Sequence, residues 1–178
     1  MRAALELFTT QGYHASTTPV IAAKAGIAEG TIYRHFPSKQ QLLNEVYRQA
    51  VNLFTRLLRD VPRDLPCQAR LEKAAAAWRD LAVREAAVVR LVFVARMRNL
   101  LDQRSRDAWS ELRSELETII ATGKAAGHVR PGPVDLWADL WLQLVALMLE
   151  RVANRDWTPE QPAPAQVVES AWVVMKAD

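Results

Sequence analysis

The chain has 178 residues, half of them hydrophobic, with a formal net charge of +3 and one cysteine. That is enough apolar material for a sizeable core, and a lone Cys67 excludes an intrachain disulfide. The longest uncharged apolar run, Leu140 to Leu149, is too short to span a bilayer, and no signal peptide is visible, so the expected location is cytoplasmic, with no membrane partner.

Scarce glycine and abundant alanine, leucine and arginine favour helices. The first helix is expected over Met1 to Thr10, with Ala4, Leu5 and Phe8 inward and Gly12 at its end. Thr17 or Thr18 should cap a short second helix. Pro19 then stands in the first turn, where a missing N–H costs little. Ile21, Ala22 and Ala25 form its inner face, Gly26 ends it in a left-handed conformation, and Ile27 is expected to plug the turn into the core. A third helix begins near Ala28 and turns Ile32 and Phe36 inward. Pro37 stops it, and Ser38 caps the next.

Two short helices around a glycine turn are the shape that lays its second member in the DNA major groove. Thr18, Tyr33, His35 and Lys39 are phosphate-binding types around that second member. Glu29, Gly30, Thr31 and Arg34 are placed to face base edges, with Arg34 able to fork onto guanine and Glu29 to accept from a cytosine amine. The plainer reading is a three-helix corner with exposed Tyr and Arg. Residues 1–50 hold five basic side chains against three acidic ones, so +2 of the net +3 lies here, as a local DNA footprint requires.

The fourth helix should run from Ser38 to about Asp60, long enough to connect the DNA-reading end with the remainder of the chain. Pro62 and Pro66 break it. A fifth helix follows over Gln68 to Val83, with Leu71, Ala75, Trp78 and Leu81 inward. A sixth, over Arg84 to Met97, is apolar nearly all round and is expected to be the most buried. Its Arg90 and Arg96 either reach out to solvent or meet an acidic group in a pocket. Asp102 or Ser105 opens a seventh helix with one apolar stripe through Trp109, Leu112, Leu116, Ile119 and Gly123, closed by Gly127. The eighth, Pro133 to about Asn154, has Leu136, Leu140, Leu144 and Leu147 on one side and Trp137, Trp141, Val145, Met148 and Val152 on a neighbouring side. The last covers Ala165 to Lys176.

The N-terminal residues resemble the tetracycline-repressor (TetR) family of bacterial regulators. The resemblance rests on Ala3-Ala4-Leu5-Glu6-Leu7-Phe8, Gly12-Tyr13, Thr17-Thr18, Ile21-Ala22, Gly26-Ile27 and the run Gly30-Thr31-Ile32-Tyr33-Arg34-His35-Phe36-Pro37-Ser38-Lys39. It covers about the first quarter of the chain. It implies a homodimer, a palindromic DNA operator and a C-terminal ligand-binding domain whose last two helices pair with the partner. It also implies that Thr18, Thr31, Tyr33, His35 and Lys39 stand where members contact DNA. Pro19 departs from members that use a longer side chain there. Members also have residues, often basic, ahead of the first helix, where this chain starts at Met1. Either the start is truncated or that arm is missing.

The expected fold is therefore all-α: a helix-turn-helix DNA-binding domain over residues 1–46 and a helical ligand-binding and dimerisation domain over 47–178. The expected function is a ligand-responsive transcriptional regulator, a repressor released from double-stranded DNA by a small-molecule effector. Trp78, Phe93, Met97, Trp109, Leu112, Trp141, Leu144 and Met148 are the wide side chains that could line the effector cavity, or could simply be core. Trp137, Val145, Val152, Val168, Trp172 and Met175 are the expected dimer surface, unless the last two helices only close one monomer's core. No metal-ligand spacing, nucleophile elbow, phosphate loop or dinucleotide fingerprint occurs, so neither an enzyme nor a cofactor is expected. The alternative is a helical small-molecule-binding or enzymatic protein with a non-functional helix-turn-helix.

Overall fold

The computed structural model describes residues 1–95 and 97–177. The expectation for Arg96 lies outside them. The described chain is all-α, with nine α-helices in the described residues and an isolated bridge between Val129 and Lys176.

The first three helices form one small unit. α1 (Arg2–Thr10) buries Ala4, Leu7 and Phe8, while α2 (Thr18–Ala25) and α3 (Glu29–His35) meet over Ile21, Ala22 and Ile32. Thr17 stands at the N-cap of α2, yet its hydroxyl makes no capping bond. Ala25 and Ile27 are exposed rather than inward. The turn is closed by the backbone instead. Gly26 takes a φ of 68°, its N–H donates to Ala23, and the Ile27 N–H donates to Ala22. Those two bonds satisfy the last carbonyls of α2, so no apolar plug is required.

α4 (Lys39–Arg59) opens as expected, with Ser38 Oγ accepting from the Gln41 N–H at 3.1 Å. Its buried stripe includes Leu43, Val46, Tyr47, Ala50 and Phe54. α4 lies along α7 (Gln103–Ala125), and both run in the same sense. Asn44 meets Ser105 near the start of each, and Arg59 meets Glu111 and Glu115 further on. α5 (Cys67–Arg84) follows the proline break. Its Trp78 donates from Nε1 to the Phe54 carbonyl at 3.1 Å and meets the rings of Phe54 and Trp141 edge-on, at 5.3 and 5.5 Å. These three rings form the centre of the core.

The expected sixth helix is not one regular, deeply buried helix. α6 covers only Ala86–Val89 and continues as a π-helical turn over Arg90–Val94. Ala86, Ala87, Val92 and Phe93 are half-buried and Val94 is exposed. Arg90 follows neither expected course. Its Nη2 donates to the Ala153 carbonyl at 2.7 Å and its Nε to Asn154 Oδ1 at 3.1 Å, so it caps the end of α8 (Val134–Ala153). A short 3-10 turn over Arg98–Leu100 leads into α7. α9 (Pro162–Val173) packs on α8 and α5, and the residues after it return to the turn before α8, where Arg130 donates to Met175 and Ala177 to His128.

Candidate DNA-binding surface and effector cavity

α3 presents its outer face because Ile32 is buried and Phe36 half-buried beneath it. Gly30, Tyr33, Arg34 and His35 are exposed, while Glu29 and Thr31 are half-buried at its first turn. A Cβ at Gly30 would meet nothing within 4 Å, so the surface there is open on its outer side. Tyr33 is 47% exposed, and its hydroxyl donates to Thr18 Oγ1 at 3.3 Å.

Two of the eight residues proposed for DNA contact are placed differently from the sequence expectation. Thr18 is buried, with 5% of its surface exposed, because it lies in the seam between α2 and the Tyr33 ring. Lys39 is half-buried. Its Nζ donates to the Tyr13 carbonyl at 2.8 Å and lies 4.2 Å from the centre of the Tyr13 ring. Its ammonium is thus held within the unit, tying the start of α4 to the loop after α1. Lys24 pairs with Glu6 at 2.9 Å, and this hydrogen-bonded ammonium holds the Glu6 carboxyl below the usual carboxylate range.

A cavity of about 960 Å³ lies between the π-helical turn, the 97–101 segment, the first turns of α7 and single side chains of α4 and α8. Of the residues expected to line a pocket, Phe93, Met97 and Trp109 do so. Trp78, Leu112, Trp141 and Met148 are fully buried core beneath it, at 0 or 1% exposure. Leu144 is on the outer side of α8, on the same stripe as exposed Leu136 and Leu147. The cavity also takes in Tyr47, Asn99, Leu101, Arg106, Ser110 and Glu150. Sequence reasoning missed these because they are polar or sit outside regular helix.

The expected dimer residues of α8 face the monomer's own core. Trp137, Val145 and Val152 were assigned to the dimer surface but are buried within the monomer, as is Met175 in the turn after α9. Val168 and Trp172 are half-buried against the core. The apolar surface left outward on α8 is exposed Leu136 and Leu147, flanked by half-buried Leu140 and Leu144.

Comparison with known proteins agrees with this geometry. Residues 1–46 match the family model described as bacterial regulatory proteins, tetR family. The chain is 38% identical over 52 residues to the fatty acid metabolism regulator protein of Bacillus subtilis, a match spanning 29% of this chain and 27% of that one. It is 24% identical over 177 residues to the uncharacterized HTH-type transcriptional regulator YhgD of the same organism, covering 91% and 84% of the two chains. It is 40% identical over 57 residues to the HTH-type transcriptional repressor KstR2 of Mycolicibacterium smegmatis, covering 32% and 28%. Among solved structures, a tetR family regulator from Shewanella sp. PV-4 superposes with a TM-score of 0.85 at 23% identity, covering 99% of this chain and 96% of the other. The class these observations define is a helix-turn-helix transcriptional regulator. The first 46 residues match the tetR family in sequence, and the whole chain shares the fold of solved tetR family regulators.

Proposed function

We propose that the protein is a ligand-responsive repressor that binds a palindromic operator as a homodimer and is released by a small molecule. The observation that carries this reading is the exposed face of α3. Gly30, Tyr33, Arg34 and His35 project from a short helix whose underside is fixed by Ile32 and whose start is fixed by the Gly26 turn. Tyr33 and His35 are assigned to phosphate oxygens, and Glu29, Gly30, Thr31 and Arg34 to base edges. Thr18 acts through Tyr33, and Lys39 through Tyr13. Residues 1–46 form the DNA-reading domain and 47–178 the effector and dimer domain. A cytoplasmic location follows from the DNA partner.

Two copies are needed because one recognition helix is too weak to specify a site, and a pair must present its helices about 34–36 Å apart. The outward leucines of α8 supply an apolar surface for that pairing. The cavity supplies a site for an effector of mixed polarity: Phe93, Met97 and Trp109 contribute apolar surface to its lining, and Tyr47, Asn99 and Ser110 contribute polar groups. Similarity to a fatty acid metabolism regulator supports an apolar effector, and similarity to the KstR2 repressor supports repression.

The test is selection of duplexes from a random pool, followed by variants on the selected sequence. Tyr33→Phe should weaken binding to every duplex by a similar factor. Arg34→Ala should relax the preference at one base pair by about 1–3 kcal/mol. If Tyr33, Arg34 and His35 can all be alanine with no change in mobility shift, the reading fails.

A further inference from the structure

Five polar residues are buried in the described chain: Ser16, Thr18, Asn44, Thr55 and Ser105. Ser16 and Thr55 bond carbonyls four residues back, and Thr18 receives Tyr33. Asn44 and Ser105 are different, because they join elements about sixty residues apart in sequence. Asn44 is 1% exposed and Ser105 is fully buried. Asn44 Nδ2 donates to the Gln40 carbonyl at 2.8 Å and to the Leu100 carbonyl at 3.0 Å. Its Oδ1 accepts from the Asp102 N–H at 2.8 Å and from Ser105 Oγ at 2.7 Å. Every hydrogen-bonding position of the amide is filled, and the network admits only this orientation of the side chain.

The strand of chain that Asn44 grips is the cavity wall. Met97, Asn99 and Leu101 line the cavity, while the Leu100 carbonyl and the Asp102 N–H, on the opposite side, face α4. Gln40 adds a second bond to the same Leu100 carbonyl at 2.9 Å, and Arg48 reaches Asp102 and Ser105 at 3.2 Å. Asn44 itself stands in the second turn of α4, six residues past the Ser38 cap and next to the DNA-reading unit.

Resting on the effector reading above, we propose that Asn44, clasped to Ser105 and to the 100–102 backbone, is the positioning residue that converts occupancy of the cavity into movement of α4. A molecule wedged against Met97, Asn99 and Leu101 displaces this segment. Full satisfaction of the buried amide makes the clasp move as one body, because leaving any of its groups unpaired away from water is costly. α4 is then drawn with the segment, and the recognition helix with α4. The competing route is the apolar packing of α1 on α6 and the π-helical turn, which contains no member of the clasp.

The experiment replaces the unidentified effector with a tethered one. Val94 lines the cavity and is exposed, so Val94→Cys offers a thiol there for N-phenylmaleimide. The native Cys67 is buried and its thiol is pushed up to about 11, so it does not compete for the reagent at neutral pH. The readouts are affinity for a duplex selected from a random pool, and amide hydrogen exchange over residues 39–47, each with and without the tether. With Asn44 present, the tether should weaken duplex binding about tenfold or more and change exchange in 39–47. With Asn44→Ala added, the labelled-to-unlabelled ratio should fall below about twofold while the unlabelled protein still binds the duplex. Ser105→Ala removes one of the four bonds and should give an intermediate ratio, which tests the clasp even if Asn44→Ala does not fold. A ratio unchanged in both variants overturns the proposal and leaves the effector reading standing. No response to the tether in the Val94→Cys parent defeats the effector reading, and the coupling with it.

Discussion

Lys39 ends a run of residues that reads, in sequence, as a DNA-contacting surface, yet its ammonium is held by Tyr13. A side chain's type was legible there, but its partner was not, because Tyr13 is twenty-six residues away. Thr18 and Ile27 show the same limit from opposite sides. A threonine at a helix start looked outward and is buried, and an isoleucine after a glycine looked inward and is 44% exposed. Cys67 is a lone cysteine whose sequence says nothing of its reactivity, whereas its burial makes it an inert thiol. Desolvation pushes its thiol up to about 11, so the native state prefers the neutral form. The unfolded chain ionises first, near 9, and the native state therefore loses stability as pH rises from about 9 through about 11. Urea midpoints of the native chain should fall more steeply over that range than those of Cys67→Ala, and alkylation of Cys67 at about pH 8 should require unfolding.

At the scale of helices, the strongest periodicities located their elements well. α4 and α7 lie close to their expected spans, with Ser38 and Asp102 as their side-chain caps. The segment from 86 to 94 was readable as apolar but not as π-helical. With hydrophobic side chains on every face, it carries no period that would reveal an extra residue in the turn, and the Ala95 N–H bonding back to Arg90 is a tertiary outcome. Gly123 also conceals its role in sequence. It was read as one member of the apolar stripe of α7, whereas a Cβ there would stand 2.6 Å from both Cβ and Sγ of Cys67. It is the point where α7 and α5 touch backbone to side chain. Gly123→Ala should cost about 1–3 kcal/mol of stability through overpacking, despite alanine's better helix propensity. Cys67→Gly in the same chain should recover part of the loss, measured as a double-mutant cycle by chemical denaturation.

For the molecule as a whole, what was legible was the all-α fold and the N-terminal recognition unit; what was not was which side of α8 turns inward. Both of its stripes are apolar, so pattern alone gave no reason to bury Trp137, Val145 and Val152 in place of the leucines. The bulk of the tryptophans decides it: Trp141 fits edge-on against Trp78 in the core, and the smaller leucines are left outside. If those leucines join two copies, Leu144→Glu with Leu147→Glu should yield a folded monomer by size-exclusion chromatography, with helicity retained and duplex binding lost. Trp137→Ala should instead destabilise the monomer itself, by about 3–5 kcal/mol.

The run of ring contacts from Trp141 through Trp78 and Phe93 ends at Trp109, where Phe93 lies 5.9 Å away. Of the chain's six tryptophans, Trp109 is the one that lines the cavity among the described residues. The chain accordingly contains its own optical gauge. A guest displacing solvent beside that indole should shift or quench part of the intrinsic emission, and Trp109→Phe should abolish the response while the light from the deeper indoles persists. Compounds could then be screened by fluorescence titration before any operator is known.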